Sequence, residues 1–134
     1  MARLTPDRIE LERQRFRAQL ETALKEEDDP LAVYDQFVQW TLRNYGDNNP
    51  DSGLLELLEQ ATGQFKEDPL YKTDLRYLKL WSLYASQIDR PKAIAVYAYL
   101  LANDIGTSYS ILYEGYASFL EADGRFVGIG LLNR

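Results

Sequence analysis

The chain has 134 residues, a formal charge of −6, and neither cysteine nor histidine. That length suits one domain, which buries roughly two-thirds of its unfolded surface and needs no covalent staple. The missing residue types exclude disulfides, Cys/His metal sites, thiol nucleophiles and Ser–His catalysis, and the acidic balance argues against binding nucleic acid or anionic membranes.

Met1-Ala2-Arg3-Leu4 leads into charge rather than an apolar signal core, and no apolar run approaches the ~20 residues that span a bilayer. A cytosolic or nuclear protein is expected. Thr5 can cap a first helix running to about Lys25, with Pro6 at the first helical position, where its missing N–H is no loss. Ile9, Phe16, Leu20, Ala23 and Leu24 fall at helical spacing and make a single apolar stripe, as an N-terminal capping helix requires. Arg13, Arg15 and Arg17 are offset by Glu10 and Glu12 and read as a solvated face. Glu26-Glu27-Asp28-Asp29 then breaks the pattern. Standing ahead of a helix N-terminus, these carboxylates suit capping and solvation rather than a metal.

Asp29-Pro30 restarts the chain with a capping carboxylate and a proline. The second helix carries Leu31, Tyr34, Phe37, Val38, Thr41, Leu42 and Tyr45 on one face, broadened by Trp40, and Gly46 fits just past its end. A Gly/Asn/Pro-rich loop to Gly53 follows. Leu54, Leu58, Ala61 and Phe65 predict a third helix paired back on the second. Gly63 inside it costs about 1 kcal/mol relative to alanine, marking a weak or closely packed point.

Asp68-Pro69 restarts the chain again, Thr73-Asp74 offers a second cap, and a fourth helix reaches about Ile88. Leu75, Leu78, Ser82 and Ala85 form its small side; Tyr77, Trp81, Tyr84 and Ile88 form its bulky side. Two apolar sides require two packed neighbours, or one neighbour and one ligand. Asp89-Arg90-Pro91 turns into a fifth helix whose apolar residues are Ala93, Ile94, Val96, Tyr97, Leu100 and Leu101, ended by Asn103-Asp104-Ile105-Gly106. Thr107 or Ser108 caps a sixth, which carries Leu112, Tyr113, Tyr116, Ala117, Phe119 and Leu120. This helix, with Gly124 and Phe126 after it, is close to the first half of a tetratricopeptide repeat. Its partner helix should start near Arg125, yet the chain stops at Arg134. Tyr113 and Leu120 are therefore expected to be less covered, and residues 125–134 to be an atypical or truncated C-terminal segment.

A repeated face organises these helices. Leu80-Trp81-Ser82-Leu83-Tyr84-Ala85-Ser86 recurs as Leu112-Tyr113-Glu114-Gly115-Tyr116-Ala117-Ser118, 32 residues on, and loosely as Val33 to Gln39, 47 residues before. Such offsets place an aromatic above apolar groups on one helix face. A face returning at this period marks a helical-hairpin array whose units bury one continuous core by stacking. The expected fold is all-α: a single domain over 1–134, with a core of about 5–124, forming a tetratricopeptide-like superhelix of about three repeats with an N-terminal capping helix and an incomplete last repeat. No active site assembles. Glu56 with Glu59, or Glu121 with Asp123, lacks a cleft or polar partner, and Gly128-x-Gly130 is too short for a phosphate loop. Neither an enzyme nor a cofactor is expected, and the fourth helix is the natural place for a bound peptide.

An ordered series of strings resembles the N-terminal domain of the spindle-assembly-checkpoint Bub/BubR/Mad family. It comprises Asp29-Pro30-Leu31, Phe37-Val38-Gln39-Trp40, Asn44-Tyr45, and Tyr71-Lys72-x-Asp74-x-Arg76-Tyr77-Leu78-Lys79-Leu80-Trp81. Ile105-Gly106, Leu112-Tyr113 and Leu120-Glu121-Ala122 complete it, so that the resemblance covers about 10–126. It implies a non-catalytic tetratricopeptide-like domain that docks a short helical peptide of a kinetochore scaffold of the KNL/Spc type, on the convex side of the fourth and fifth helices. The implied contact positions are Tyr84, Ile88 and Ala95, with Trp81 and Tyr97 as neighbours. Some family members carry amides where Ile88 and Ala95 stand. The resemblance also implies nuclear, kinetochore and cytoplasmic localisation, and dealings with anaphase-promoting-complex proteins through parts of a longer protein. Two departures leave the kinase and kinase-less branches undivided: no Lys-Glu-Asn tripeptide occurs, and there is no kinase domain. Two other readings compete. One is a generic tetratricopeptide adaptor or co-chaperone gripping a C-terminal carboxylate in its concave groove through Arg76 and Lys79. The other is self-association through the uncovered last half repeat.

Overall fold

The structure, a computed structural model, describes residues 5–26, 28–46 and 49–122. Every regular element among them is helical, and the chain divides into two compact units, Met1–Ala61 and Thr62–Arg134. The expected segment 125–134 and the Glu121–Asp123 pair fall wholly or partly outside the described residues.

In the first unit, α1 (Pro6–Glu26) and α2 (Pro30–Tyr45) pack along one another. A 3-10 turn (Pro50–Ser52) leads into α3 (Leu54–Gln64), which crosses the boundary between the units. The close pairing is α1 with α2, rather than α2 with α3 as the hairpin pattern predicts. Aromatic rings explain why: Phe16 of α1 stacks on Phe37 at 5.0 Å, and Trp40 tilts against both. Such ring pairs contribute roughly 0.5–1.5 kcal/mol each beyond their burial. Polar ties close the seam. Trp40 Nε1 donates to Glu12 at 2.8 Å, while Arg13 donates to the Tyr45 hydroxyl at 2.8 Å and the Ser52 carbonyl at 3.0 Å. The arginines are thus not a uniform solvated face: Arg13 lies over the Trp40 and Tyr45 rings, and Arg17 over Phe37.

Asp29 does not cap α2. Its backbone is left-handed (φ 42°), and its side chain makes no cap bond to the first helical N–H groups. Gly46 does close α2, at φ 80° with its N–H on Leu42 O. Gly63 is exposed, and a Cβ there would meet nothing within 4 Å, so close packing is not the reason for it.

In the second unit, both predicted start signals operate. Asp68 accepts from Leu70 N and opens a single turn, α4 (Pro69–Lys72); Asp74 accepts from Arg76 N at 2.9 Å and opens α5 (Leu75–Ser86). The expected fourth helix is therefore two pieces and stops before Ile88. Asp89 caps α6 (Arg90–Ala102), and α7 runs Ser110–Ala122. Neither Thr107 nor Ser108 caps α7; the Thr107 hydroxyl is held by the Asp104 carboxylate instead. α6 ends in a Schellman motif, with Ile105 N on Leu100 O, Asp104 N on Leu101 O, and Asp104 itself left-handed. Aspartate tolerates that conformation better than most residues.

Gly106 then performs two tasks. Its φ of 71° suits glycine, and its N–H donates to Lys72 O at 2.8 Å, tying this turn to the end of α4. A Cβ would stand 2.8 Å from the Leu78 methyls. Around this tie Tyr77, Leu78, Leu80, Ala93, Leu100, Ile105 and Leu112 are buried. Leu120 is buried too, against expectation, whereas Tyr113 is 48% exposed, as an uncovered helix face requires.

Candidate functional site

The bulky side of α5 follows from its spacing. Residues 77, 81 and 84 descend one helix row, each one turn below the last, and Ile88 follows just beyond the helix end. Tyr77 at its top is fully buried and donates to Thr62 O. Burial pushes its hydroxyl up to about 12. Trp81 follows in edge contact at 6.1 Å, also buried, and Tyr84 meets Trp81 edge-on at 6.1 Å. Burial thus fades down the row: Tyr84 and Ile88 are only partly covered, and Ile88 lies in the turn after α5.

From α6, Tyr99 tilts against Trp81 at 5.5 Å and is partly exposed; Ala95, one turn before it, is exposed. Trp81 is therefore a floor that touches both Tyr84 and Tyr99. Lys66 Nζ sits 5.5 Å from the centre of the Tyr99 ring. Burial raises the Tyr99 hydroxyl, and the negative charge of Glu67 adds to the effect. The Trp81 indole N–H is buried and makes no hydrogen bond of standard geometry among the described residues. The Tyr77 phenol is near enough to feel its dipole, which works weakly against the larger effect of burial.

Of the residues named from sequence, Trp81 and Tyr84 come together, with Ile88 in the turn just after the helix. Ala95 stands on the α6 row that also carries Tyr99. Tyr97 turns elsewhere: it is 2% exposed, stacked on Tyr116 at 5.8 Å and tilted on Phe119, so it joins α6 to α7. Gly115 makes room for it, since a Cβ there would crowd the Tyr97 hydroxyl. Sequence reading missed Tyr99. The available signal was its position four residues after Ala95, on one helix row.

This face offers shape, apolar area and ring faces rather than acid–base chemistry. Arg76, proposed for a carboxylate clamp, is committed to Asp74 through a 2.7 Å ion pair that locks the start of α5. Among the described residues no group of three acids could hold a metal, and no helix is long and apolar enough to cross a membrane. The first unit carries a shallow cavity of about 490 Å³ between α1 and α2, rimmed by Glu26, Asp28 and Gln36. None of the predicted site residues lines it.

Comparison with known proteins gives these features a context. Residues 11–128 match the family model of Mad3/BUB1 homology region 1. The chain is 42% identical over 100 residues to the mitotic spindle checkpoint component mad3 of Schizosaccharomyces pombe, covering 74% of this chain and 32% of that protein. It is 35% identical over 96 residues to the mitotic spindle checkpoint protein BUBR1 of Arabidopsis thaliana, covering 72% of this chain and 24% of that one. The chain thus spans a third or less of these curated relatives. Among solved structures, a chain in the crystal structure of the mitotic checkpoint complex superimposes with TM-score 0.82 at 36% identity, over 92% of this chain and 58% of that one. The conserved N-terminal domain of the mitotic checkpoint component BUB1 superimposes with TM-score 0.78 at 22% identity, over 88% and 61%, a likeness of fold. The fold is the tetratricopeptide-like one of these checkpoint domains.

Proposed function

Because the chain belongs to the Mad3/BUB1 homology region 1 family, we propose that it is a non-catalytic docking module. In this reading, the α5–α6 face receives a short apolar helix from a kinetochore scaffold of the KNL/Spc type. The module thereby recruits the checkpoint protein that carries it from nucleus or cytoplasm to kinetochores.

The observation that carries the reading is the gradient of burial along one row of α5. Tyr77 and Trp81 are sealed, while Tyr84 on the same stripe, and Ile88 in the turn that follows, remain partly open. A visiting helix would extend that row, with Tyr84, Ile88, Ala95 and Tyr99 as its contacts and Trp81 as the fixed floor beneath; Tyr97 supports α6 from behind. An apolar anchor burying a few hundred Å² contributes several kcal/mol at about 25 cal/mol per Å². Ordering and association costs reduce this to roughly micromolar binding.

The test is a calorimetric titration of the chain with a synthetic scaffold peptide. Tyr84→Ala and Ile88→Asp are each expected to weaken binding about tenfold or more, with helical content and melting temperature nearly unchanged. Binding that survives both substitutions removes the face from the interaction; unfolding by either makes those side chains core.

A further inference from the structure

The chain's five prolines all open a helix or helical turn. Four stand behind an aspartate or asparagine: Asp29, Asn49, Asp68 and, one residue further back, Asp89. Three of those side chains cap at good distance, with Asn49 on Asp51 N at 2.9 Å, Asp68 on Leu70 N at 2.9 Å and Asp89 on Lys92 N at 3.0 Å. The fifth case differs. At α1, the longest helix with 21 residues, the residue before Pro6 is Thr5, and its hydroxyl accepts from Arg8 N at a longer 3.3 Å. The longest helix thus begins on a neutral, stretched cap.

The same four residues, Thr5-Pro6-Asp7-Arg8, read hydroxyl, proline, any residue, cation, and Thr5-Pro6 is the only Ser/Thr-Pro pair in the sequence. That pattern suits a proline-directed protein kinase. A pocket with an apolar wall accepts proline because it brings no N–H to leave unsatisfied, and a cation three residues on adds charge recognition. All four residues are exposed. A first helical turn also frays readily enough to enter an extended substrate groove. We propose that Thr5 is a phosphoacceptor for such a kinase, and that its phosphate completes the N-cap that three of the other proline-led elements obtain from Asp or Asn.

In the transfer, Thr5 Oγ1 attacks the γ-phosphorus of ATP. The bond to the ADP oxygen breaks, and the hydroxyl proton passes to the kinase's catalytic base. The product carries nearly two negative charges beside the unpaired N–H groups and positive end of α1. Arg8, now in a loose 3.9 Å pairing with Glu12, lies within the same turn and can bond the phosphate.

The experiment incubates the full chain with ATP and a purified proline-directed kinase that favours a basic residue at the third following position. Tandem mass spectrometry and hydrogen exchange follow. One phosphoryl group is expected on Thr5, with the rate falling about tenfold or more in Pro6→Ala and in Arg8→Ala. Amides of residues 7–9 should exchange about two- to fivefold more slowly once Thr5 is modified. Thr5→Asp, which supplies a carboxylate without any kinase, should slow the same amides. No phosphate on Thr5, or unchanged rates in both variants, overturns the site. Unchanged exchange in the phosphorylated chain overturns the cap.

Discussion

Each unit of the molecule is built around one of the chain's two tryptophans, and both are 5% exposed. Their surroundings differ. In the first unit Trp40 is ringed by charge-assisted partners: its N–H finds Glu12, and Arg13 spans from its ring to Tyr45 and Ser52. In the second, Trp81 is in ring contact with Tyr77, Tyr84 and Tyr99, and its N–H makes no hydrogen bond of standard geometry among the described residues. An unsatisfied buried donor costs about 1–3 kcal/mol, so close aromatic packing must outweigh it. Equal burial can thus rest on polar ties in one place and on tight fit in another, and the second kind depends on glycines that let neighbours approach.

Gly106→Ala attacks that tight fit most directly. It would combine an unfavourable φ with a contact against Leu78, and should cost about 2–4 kcal/mol in urea unfolding. If the variant is tolerated, the second unit is less closely fitted than its geometry indicates. Alkaline titration comes next. The folded protein holds the Tyr77 proton up to about 12, against an ordinary phenol value of 10.0. Stability from this group is therefore intact below pH 10 and falls as pH climbs from there toward 12, by at most about 2–3 kcal/mol. Tyr77→Phe should flatten that part of a stability–pH curve; an unchanged slope assigns it to other tyrosines, such as Tyr34, which burial also raises.

The tryptophans themselves supply a paired measurement. Trp40→Phe deprives Glu12 of its donor, while Trp81→Phe removes an unsatisfied one. The Trp40 change should cost about 1–2 kcal/mol more than the Trp81 change, although both shrink the ring alike. Equal losses would show that the Glu12 bond contributes little. Smallest of all, Gly63→Ala should stabilise by about 0.5–1 kcal/mol, since the helix there has open space for a methyl group.

Helix starts were the most legible feature of this chain, because proline and a preceding capping residue act within one turn. Among the described residues, four of the seven α-helices begin at or beside a proline, as does the 3-10 turn. Asp29 shows the limit: Asp-Pro marks the right boundary, yet the residue takes a left-handed backbone and its carboxylate does not cap. The α1–α2 pairing was not legible. The stripe on α1 is visible in sequence, but nothing local says that Phe16 will stack on Phe37. On the candidate face, periodicity found Trp81 and Tyr84, which share a row of one helix, and Ile88 just beyond its end. It missed Tyr99, whose place beside Trp81 depends on how α5 and α6 meet. Tyr97 shows the converse, since an aromatic at a suitable spacing can face the next helix instead.

Turns are ordinarily where a chain can be cut or lengthened without harm. The turn after α6 is an exception, because Ile105 is fully buried and the Gly106 N–H is bonded to the end of α4. Splitting the polypeptide there, or splicing a tag into it, would open the interior of the second unit rather than decorate its surface. Two fragments divided at that point should reassociate only by rebuilding the Lys72–Gly106 link.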